Sequence, residues 1–393
     1  MARLGDYIEQ IRGVSYKPED VCTAQDKDAV AILRANNIQD DGLNFDDLVY
    51  VKKSKVSAIQ YIKAGDIVVC ASSGSKNLVG KAAIATEDMD FSFGAFCKVV
   101  RPRKLLPSYV GHYFQSPKYR NKISELAGGA NINNIRNEHI DELDIIVPNT
   151  DEQERISIEL NKICYLISLR KQQLSKLDEL VKSRFIEMFG DPVKNDMGWK
   201  TTLLKNATSK IGSGATPKGG KESYQEEGIT LIRSMNVYDG RFEYKDLAHI
   251  TDEQAEQLDN VTVKENDVFI NITGASVARS CIVPNHILPA RVNQHVAIIR
   301  CITSMLNPVF ANNMFLNTSF KGHLLNIGES GGATRQAITK QQLETLEVIL
   351  PPIESQEQFA TFVEQTDKSK LAIQQSLEKL ETLKKALMQK YFG

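Results

Sequence analysis

The chain has 393 residues, of which 42% are hydrophobic and 25% charged, and this length and composition predict a globular protein of two or three domains. Its net charge of −1 gives no whole-molecule field that would attract nucleic acid. The six cysteines are scattered without a CxxC pair, which argues against a disulfide framework or a zinc site and indicates a reduced environment. No signal-peptide core and no run of about 18 apolar residues is present, so we expect a cytoplasmic protein with no membrane partner.

The first 150 residues mix strand and helix signals. The stretches "GDIVVCAS" (65–72) and "VGKAAIA" (79–85) are typical of two strands joined by a polar loop, "SSGSKNL" (72–78). Residues 107–127 have a helical pattern, which Pro117 interrupts. This region is therefore predicted to be a mixed α/β (α+β) domain.

A long helix is predicted to follow, because apolar residues recur alternately four and three positions apart, as in the seam of a coiled coil. The seam residues are Ile156, Leu160, Ile163, Ile167, Leu174, Leu177 and Val181. Pro148 precedes the helix, and "TDEQ" (150–153) can form a capping box at its start. A helix of about 37 residues is about 55 Å long.

The chain then repeats itself. The phrase "GGANINNIRNEHIDELDIIVP" (128–148) returns as "GGATRQAITKQQLETLEVILP" (331–351), an offset of 331 − 128 = 203 residues. The offset stays the same through 174–190 and 377–393, and it drifts by a few residues further back along the chain. Two copies of one long unit predict a pseudo-dimer, because a solenoid needs shorter and more numerous repeats.

The repeat predicts a second connector helix that pairs with the first in antiparallel orientation. Its weaker seam contains Phe359, Val363, Ile373, Leu377 and Leu380. The expected architecture is thus two similar globular domains separated by two long antiparallel coiled-coil helices, with an internal pseudo-twofold. The predicted boundaries are 1–150 for domain 1, 151–190 for the central helix, 191–352 for domain 2 and 353–393 for the C-terminal helix.

Charge is unevenly distributed along this neutral chain. Residues 91–124 contain seven basic residues and no acid, and residues 268–328 contain four basic residues, three histidines and no acid. Such stretches favour basic faces that could contact nucleic acid, although ordinary solvated surface is the alternative.

The search for catalytic motifs finds none that is complete. The stretch "ATPKGGKE" (215–222) is only a near match for a phosphate-binding loop, and the histidines lack the spacing of metal ligands. A protein of this size without a catalytic constellation is predicted to be a binding or adaptor protein rather than an enzyme, with no metal of its own.

Candidate DNA contacts are cationic, amide and hydroxyl side chains in Gly-, Ser- and Asn-rich loops, since Arg reads guanine, Asn or Gln reads adenine, and such loops approach phosphates. In the first copy these residues are Arg12, Ser15, Tyr16, Lys17, Arg34, Asn37, Ser73, Lys76, Asn77, Lys81, Asn131, Asn133, Asn134 and Arg136. In the second copy they are Ser213, Thr216, Lys218, Lys221, Arg233, Asn236, Asn271, Thr273, Ser276, Arg279, Asn293, Gln294, Arg335 and Gln336. The alternative is that some of these side chains only form turns.

The chain resembles the specificity (S) subunit of type I restriction–modification enzymes. The resemblance covers the whole chain and lies in phrases such as "IRGVSYKPED", "NDVFINITGASVAR" and "VNQHVAIIR", together with the repeated phrase itself. It implies two target-recognition domains that each read one half of a bipartite double-stranded DNA site. It also implies connector helices that act as a spacer and dock two modification (methyltransferase) subunits, which restriction (motor–nuclease) subunits join.

The same resemblance implies that this chain is not catalytic and binds no cofactor, because S-adenosylmethionine, ATP and Mg would be bound by the partner subunits. The first copy departs from the second, with "RGVSYKP" (12–18) where "GSGATPK" (212–218) stands. Two alternatives stay open: a protein-only coiled-coil scaffold, and a specificity subunit of a methylation-only system.

Overall fold

A computed structural model describes residues 1–75, 77–126, 133–217, 219–329 and 336–393. The chain divides into two compact units. Unit 1 consists of Met1–Gln173 with Ile373–Gly393, and unit 2 of Leu174–Ala372. Each unit therefore contains one mixed domain and one half of each long helix.

Unit 1 contains the short strands and helices of domain 1. The strands are β1 (Ala2–Arg3), β2 (Ile8–Arg12), β3 (Val21–Cys22), β4 (Ala29–Leu33), β5 (Ile38–Gln39), β6 (Gly42–Leu43), β7 (Val49–Lys52), β8 (Ile67–Cys70), β9 (Ser72–Ser73), β10 (Ala82–Ile84), β11 (Ser92–Phe93), β12 (Cys97–Pro102), β13 (Asn133–Asn134) and β14 (Asp144–Ile145). The α-helices are α1 (Pro107–Gln115), α2 (Pro117–Leu126), α3 (Asn137–Asp141) and the beginning of α4 (Thr150–Phe189).

Two four-stranded sheets form the framework of domain 1. The first has the order β10-β8-β12-β2 and is antiparallel; the second has the order β11-β4-β7-β3, with β11 parallel to β4. Strand β8 is wholly apolar and buried, and the first four residues of β12 are buried as well, with Val68 and Val99 both at 0% exposure. Helix α1 covers this sheet, and Gly111 allows the approach because a Cβ there would lie 3.1 Å from Ile84.

Unit 1 also contains the paired first half of α4 and last part of α9 (Ile353–Phe392). Arg170 Nε donates to Ser376 Oγ at 3.2 Å, and the Tyr391 hydroxyl donates to Glu159, so the sequence numbers run in opposite directions and the pair is antiparallel. Phe392 ends the chain's last helix against Tyr109 of α1, with ring centroids 5.2 Å apart.

The N-terminal cap of α4 corrects one local prediction. The side chain of Asn149 accepts from Glu152 N at 2.9 Å, so Asn149 caps the helix and the predicted capping box from Thr150 is wrong by one residue. Gln153 instead joins the helix to the segment before α1, since it is 4% exposed and accepts from Leu106 N at 3.0 Å while donating to Pro148 O at 2.9 Å.

Unit 2 contains the elements of domain 2. The strands are β15 (Thr201–Leu203), β16 (Thr208–Ser213), β17 (Ile229–Ile232), β18 (Val237–Tyr238), β19 (Arg241–Phe242), β20 (Ala248–Ile250), β21 (Val268–Asn271), β22 (Ser280–Ile282), β23 (Ala290–Val292), β24 (Val296–Cys301) and β25 (Glu347–Ile349). The α-helices are α5 (Asp252–Glu256), α6 (Pro308–Leu316), α7 (Thr318–Glu329), α8 (Lys340–Glu344), the end of α4 and the beginning of α9.

The sheets of domain 2 have the same connectivity as those of domain 1. One has the order β16-β24-β21-β22, and the other has the order β20-β17-β23 with β17 parallel to β23. These correspond strand for strand to β2-β12-β8-β10 and to β7-β4-β11. The predicted internal repeat of a mixed domain is therefore confirmed.

The helix halves of unit 2 are antiparallel as well. Lys370 Nζ lies 2.7 Å from Asp178 Oδ1, and the ring of Phe185 lies 5.5 Å from that of Phe359. In the core of the unit Phe189 packs on Phe310 of α6, with ring centroids 4.8 Å apart, and on Phe359, with ring centroids 5.6 Å apart. The predicted antiparallel pairing of the two long helices is thus confirmed within each unit.

The predicted seam residues lie at the helix pair. Eight are buried: Ile156, Leu160, Ile163, Ile167, Val181, Phe359, Val363 and Leu377. Four are half-buried: Leu174, Leu177, Ile373 and Leu380. None of the helices in the described ranges has the length and hydropathy needed to cross a membrane.

Candidate nucleic-acid interface

Four loops of domain 2 meet at the end of its antiparallel sheet. Gly214 N donates to Asn293 O at 3.1 Å, Ile272 N donates to His295 O at 3.0 Å, and Gly274 N donates to Gln336 O at 3.0 Å. Backbone hydrogen bonds therefore join the segments 213–217, 272–276, 293–295 and 336–337 into one loop cluster, which we call cluster 2.

A chain of side-chain hydrogen bonds crosses cluster 2. The Thr216 hydroxyl donates to Gln294 Oε1, Gln294 Nε2 lies 3.0 Å from His295 Nε2, and His295 Nδ1 contacts the Thr273 hydroxyl. An amide nitrogen can only donate, so His295 Nε2 accepts and the ring carries its proton on Nδ1, which donates to Thr273. Each side chain in this series of hydrogen bonds is therefore oriented by its neighbour in the series.

His295 was missed by the sequence reasoning. It follows Asn293 and Gln294 directly and lies in the acid-free stretch, so its position was an available signal. A single histidine without metal-ligand spacing, however, carries little information by itself.

Domain 1 has the same loop cluster, which we call cluster 1. Val14 N donates to Phe93 O at 2.7 Å, Ala71 N donates to Phe96 O at 2.8 Å, and Ile135 N donates to Ala71 O at 2.8 Å. Strand β9 pairs with β13. The segments 12–17, 71–75, 93–96 and 133–136 thus meet as their counterparts do in domain 2.

The predicted contact residues divide by exposure. The exposed ones among the described side chains are Arg12, Ser15, Lys17, Asn77, Asn134, Arg136, Thr216 and Gln294. The half-buried ones are Tyr16, Arg34, Ser73, Lys81, Ser213, Arg233, Thr273, Ser276, Arg279 and Gln336. Lys76, Asn131, Lys218 and Arg335 lie outside the described residues, as do the side chains of Asn133 and Lys221.

Four predicted amides are buried: Asn37, Asn236, Asn271 and Asn293. Asn37 accepts from Arg34 N at 2.8 Å and donates to Asp46 O at 2.8 Å, and Asn236 makes the same bonds to Arg233 N and Glu243 O. Buried amides are normally hydrogen-bonded to the groups around them. Asn37 and Asn236 therefore hold the loops around them in place, and DNA contact by the four amides stays a prediction.

Arg34 and Arg233 are equivalent residues that brace equivalent loops. Arg34 Nη2 donates to Asp47 O at 2.7 Å and to Asp47 Oδ2 at 2.8 Å, and Arg233 donates to Asp246 O. Their guanidinium groups are half-buried, so any contact with DNA would be made by the outer edge of each group.

Arg279 stacks on an aromatic ring. Its guanidinium carbon lies 4.5 Å from the centre of the Tyr238 ring, and that of Arg241 lies 5.0 Å from the same centre. Two guanidinium groups on one tyrosine form a cationic group whose members are held in place by cation–π contacts.

Several basic residues of the acid-free stretches are committed to ion pairs inside the domains. Arg101 forms a two-point pair with Asp66, and Arg300 does so with Asp267, with nitrogen–oxygen distances of 2.7–2.8 Å. Burial lowers the pKa of Lys98 to about 8, and its ammonium donates to Gln10 and Asn137. The basic faces expected from these stretches are correspondingly smaller.

Metal binding has no candidate here, since the described residues hold no group of three His, Cys, Asp or Glu side chains that could ligate an ion.

The other predicted residues of domain 1 make local contacts. Lys81 pairs with Asp40 at 3.5 Å, and Arg120, which was not predicted, donates to the carbonyl of Asn77 at 2.9 Å.

The model of the type I restriction modification DNA specificity domain matches residues 1–179 and again residues 199–384. The chain belongs to this family. Two matches in one chain agree with the structural repeat, and they identify a type I specificity subunit with two target-recognition domains.

Similar curated proteins and structures agree. The chain is 29% identical to the StySPI specificity subunit of Salmonella potsdam, over 97% of this chain and 86% of that one. It is 26% identical to the EcoKI specificity subunit of Escherichia coli K12, with the same coverage. The crystal structure of the S subunit from M. genitalium has a TM-score of 0.57 at 14% identity, covering 100% of this chain and 95% of that one, which shows a shared fold.

Proposed function

We propose that this chain recognises a bipartite double-stranded DNA site, one half-site per domain, and directs the methyltransferase and restriction subunits of a type I complex to it. The observation that carries the proposal is the recurrence of one loop cluster in both domains, in which backbone hydrogen bonds join corresponding segments that carry different side chains. A shared frame with different exposed groups is what two half-sites of different sequence require.

Gln294 illustrates how such a cluster could read a base. Its amide oxygen has two lone pairs, one of which is used by Thr216, and its amide nitrogen has two hydrogens, one of which faces His295. One acceptor and one donor remain on an exposed and oriented amide. That pair matches the N6 amine and N7 of adenine in the major groove.

Phosphate contacts would come from the exposed cations at the rim of each cluster. In domain 1 these are Arg12, Lys17 and Arg136, which lie on the segments 12–17 and 133–136. Such contacts position a protein on the duplex without carrying sequence information, and they make affinity depend on salt.

The connector helices are proposed to hold the domains at a set spacing and to bind two modification subunits. Leu180 and Leu383 support the second part, since both are 47% exposed and they occupy equivalent positions, 383 − 180 = 203 residues apart. An exposed leucine at the same place in each repeat suits two copies of one partner.

Catalysis is proposed to reside in the partners. The motifs for S-adenosylmethionine or ATP chemistry are incomplete in this sequence, and the partner subunits would bind S-adenosylmethionine, ATP and Mg. The restriction subunits would join the complex of this chain with the modification subunits.

An exchange of residues 1–150 for the corresponding domain of another specificity subunit tests the proposal. Methylation mapping should show one changed half-site and one unchanged half-site, because the two clusters are separate in the chain. A change in both half-sites would contradict the modular reading. If specific binding does not weaken with added salt, the protein-scaffold alternative is favoured.

A further inference from the structure

Phe96 occupies in domain 1 the position that His295 occupies in domain 2. Ala71 N donates to Phe96 O at 2.8 Å, just as Ile272 N donates to His295 O at 3.0 Å. Each residue directly precedes an inner strand of its four-stranded sheet, since β12 begins at Cys97 and β24 at Val296. The two domains therefore place different chemistry at one point of the same frame.

The phenyl ring of Phe96 is exposed on a fixed backbone. The residue is 68% exposed, its carbonyl accepts a second bond from Ser72 N at 3.0 Å, and Cys97 N donates to Gly94 O at 2.8 Å to close a turn. Segment 12–17 is pressed against this turn, because a Cβ on Gly13 would lie only 2.1 Å from Gly94 O. These backbone contacts fix the position of Phe96, so its exposed ring is held at a defined place on the surface.

The surroundings of the ring are polar and cationic. Arg12 lies opposite Lys98 in the sheet, and Lys98 is two residues after Phe96 in the chain. Arg136 directly follows Ile135, whose N–H donates to Ala71 O. Asn134 pairs with Ser72 in the β9–β13 ladder. Arg12, Asn134 and Arg136 are all exposed. An exposed apolar ring among groups that suit phosphates and base edges favours DNA over the apolar core of a protein interface.

We propose that Phe96 is a specificity-determining residue that reads a thymine of the half-site of domain 1 by apolar contact with the C5 methyl group. This inference rests on the proposed function. A phenyl ring forms no ordinary hydrogen bond with a base edge, and the thymine methyl is the one apolar feature in the major groove. A cytosine at that place would lose solvent from its amine without gaining an acceptor, so it is disfavoured.

The test measures DNA binding by the full chain assembled with its modification subunits, at one fixed salt concentration. The probe is a duplex with the site found by methylation mapping, synthesised with thymidine or with deoxyuridine in the half-site that changes when residues 1–150 are exchanged. For each thymine methyl group that the ring contacts, wild type should bind the deoxyuridine duplex about fourfold more weakly, and this factor corresponds to the free energy of burying one carbon group. Phe96→Ala should bind the thymidine duplex about tenfold more weakly and should no longer distinguish the two duplexes.

Two variants and a second duplex control the result. Phe96→Leu, which keeps an apolar side chain, should retain most of the discrimination. Phe45→Ala removes another exposed phenylalanine of domain 1, one that packs on Phe91 with centroids 5.6 Å apart, and should leave discrimination intact. Deoxyuridine in the other half-site should affect wild type and Phe96→Ala equally.

Three results would overturn the inference: a half-site without thymine, equal wild-type affinity for both duplexes, or persistent discrimination by Phe96→Ala. Normal DNA binding by Phe96→Ala with impaired subunit assembly would also overturn it, and would identify Phe96 as a protein contact. If wild type shows no specific binding at all, the proposed function itself fails, and this outcome is distinct from the others.

Discussion

Replacement of Arg300 by Met should destabilise unit 2 strongly, because it leaves a buried carboxylate with too few donors. Asp267 is 0% exposed and accepts from Arg300 Nε at 2.8 Å, from Arg300 Nη2 at 2.7 Å and from Lys264 N at 2.7 Å. Only the last bond survives in Arg300→Met. Loss of one partner of a buried pair costs about 3–5 kcal/mol, and the 21% exposure of the Arg300 side chain places the cost near 3 kcal/mol. The unfolding equilibrium constant should rise about 150-fold.

Trp199 provides the assay, because it is the single tryptophan of the chain and lies in unit 2. Its indole N–H donates to Phe189 O at 3.0 Å, so its fluorescence should report on the loss of structure there. With an m-value of about 2–3 kcal/mol/M, the urea midpoint should fall by about 1 M.

A matched control uses an exposed ion pair of the same domain. Lys340→Met removes a cation whose side chain is 64% exposed, 3.5 Å from Glu344, and should cost about 0.5 kcal/mol or less. Asp267→Asn added to Arg300→Met should restore part of the loss, since the uncompensated charge is then gone. If Arg300→Met shifts the urea midpoint no more than Lys340→Met does, the buried pair of Arg300 and Asp267 does not stabilise unit 2 as predicted.

Burial lowers the pKa of His112 to about 4, although its hydrogen bond to Asn161 opposes that shift. Below about pH 6.5 His112 is therefore protonated in the unfolded chain but not in the folded chain. The free energy of unfolding of unit 1 should fall by up to about 3 kcal/mol between pH 6.5 and 4. Hydrogen exchange of α1 should report this fall, and His112→Asn should make it smaller. Arg279→Ala should weaken DNA binding by about 1–3 kcal/mol at one base position or reduce the salt slope by about one, whereas unchanged binding with a lowered melting temperature would make the contact with Tyr238 purely structural. The isolated chain should transfer no methyl group to DNA from labelled S-adenosylmethionine, and transfer by the highly purified subunit would contradict this.

The repeat made much of the fold predictable from the sequence. An offset of 203 residues, which drifts by a few residues toward the start of each copy, links stretches of the same structure, so weak strand and helix signals in one copy support those in the other. The cap at Asn149 was less predictable, because Asn149 and Thr150 are both good N-caps and the hydrogen bond itself decides between them.

A buried glutamine near the start of each long helix is a further repeated feature. Gln153 and Gln356 stand 356 − 153 = 203 residues apart, and both fix a long helix to its domain: Gln153 accepts from Leu106 N and Gln356 accepts from Asn307 N at 2.9 Å. A buried glutamine near the start of an amphipathic helix does not differ from an exposed one in sequence. Only the tertiary contact shows that its amide is needed inside.

The site was predictable as loops rather than as residues. Three segments of each cluster follow or precede strands of one sheet, and backbone hydrogen bonds join the fourth segment to them. Asn37 and Asn236 are buried whereas Asn77 and Asn134 are exposed, and residue type alone does not separate these positions. His295 and Phe96 were not predictable as contacts, because a single histidine or an exposed apolar ring has no distinguishing pattern in the sequence.

The proposal that the connector helices set the spacing of the two domains can be tested by removing one heptad from each helix. Deletion of Lys171–Leu177 and Gln374–Leu380 preserves the 3.5-residue phase of the seam, and it retains the contact of Glu159 with Tyr391 in unit 1 and of Asp178 with Lys370 in unit 2. Each helix becomes shorter by about 10 Å, which equals about three base pairs.

Three base pairs also turn one half-site by about a third of a revolution around the duplex. A pair of packed helices cannot follow that rotation freely, so we expect either a bipartite site with a shorter spacer or loss of specific binding by a folded protein. The bases of each half-site should not change, because the loop clusters are untouched. Methylation mapping and binding to duplexes of graded spacer length distinguish these results. Full affinity of a folded variant for the original spacer would show that the helices do not set the distance.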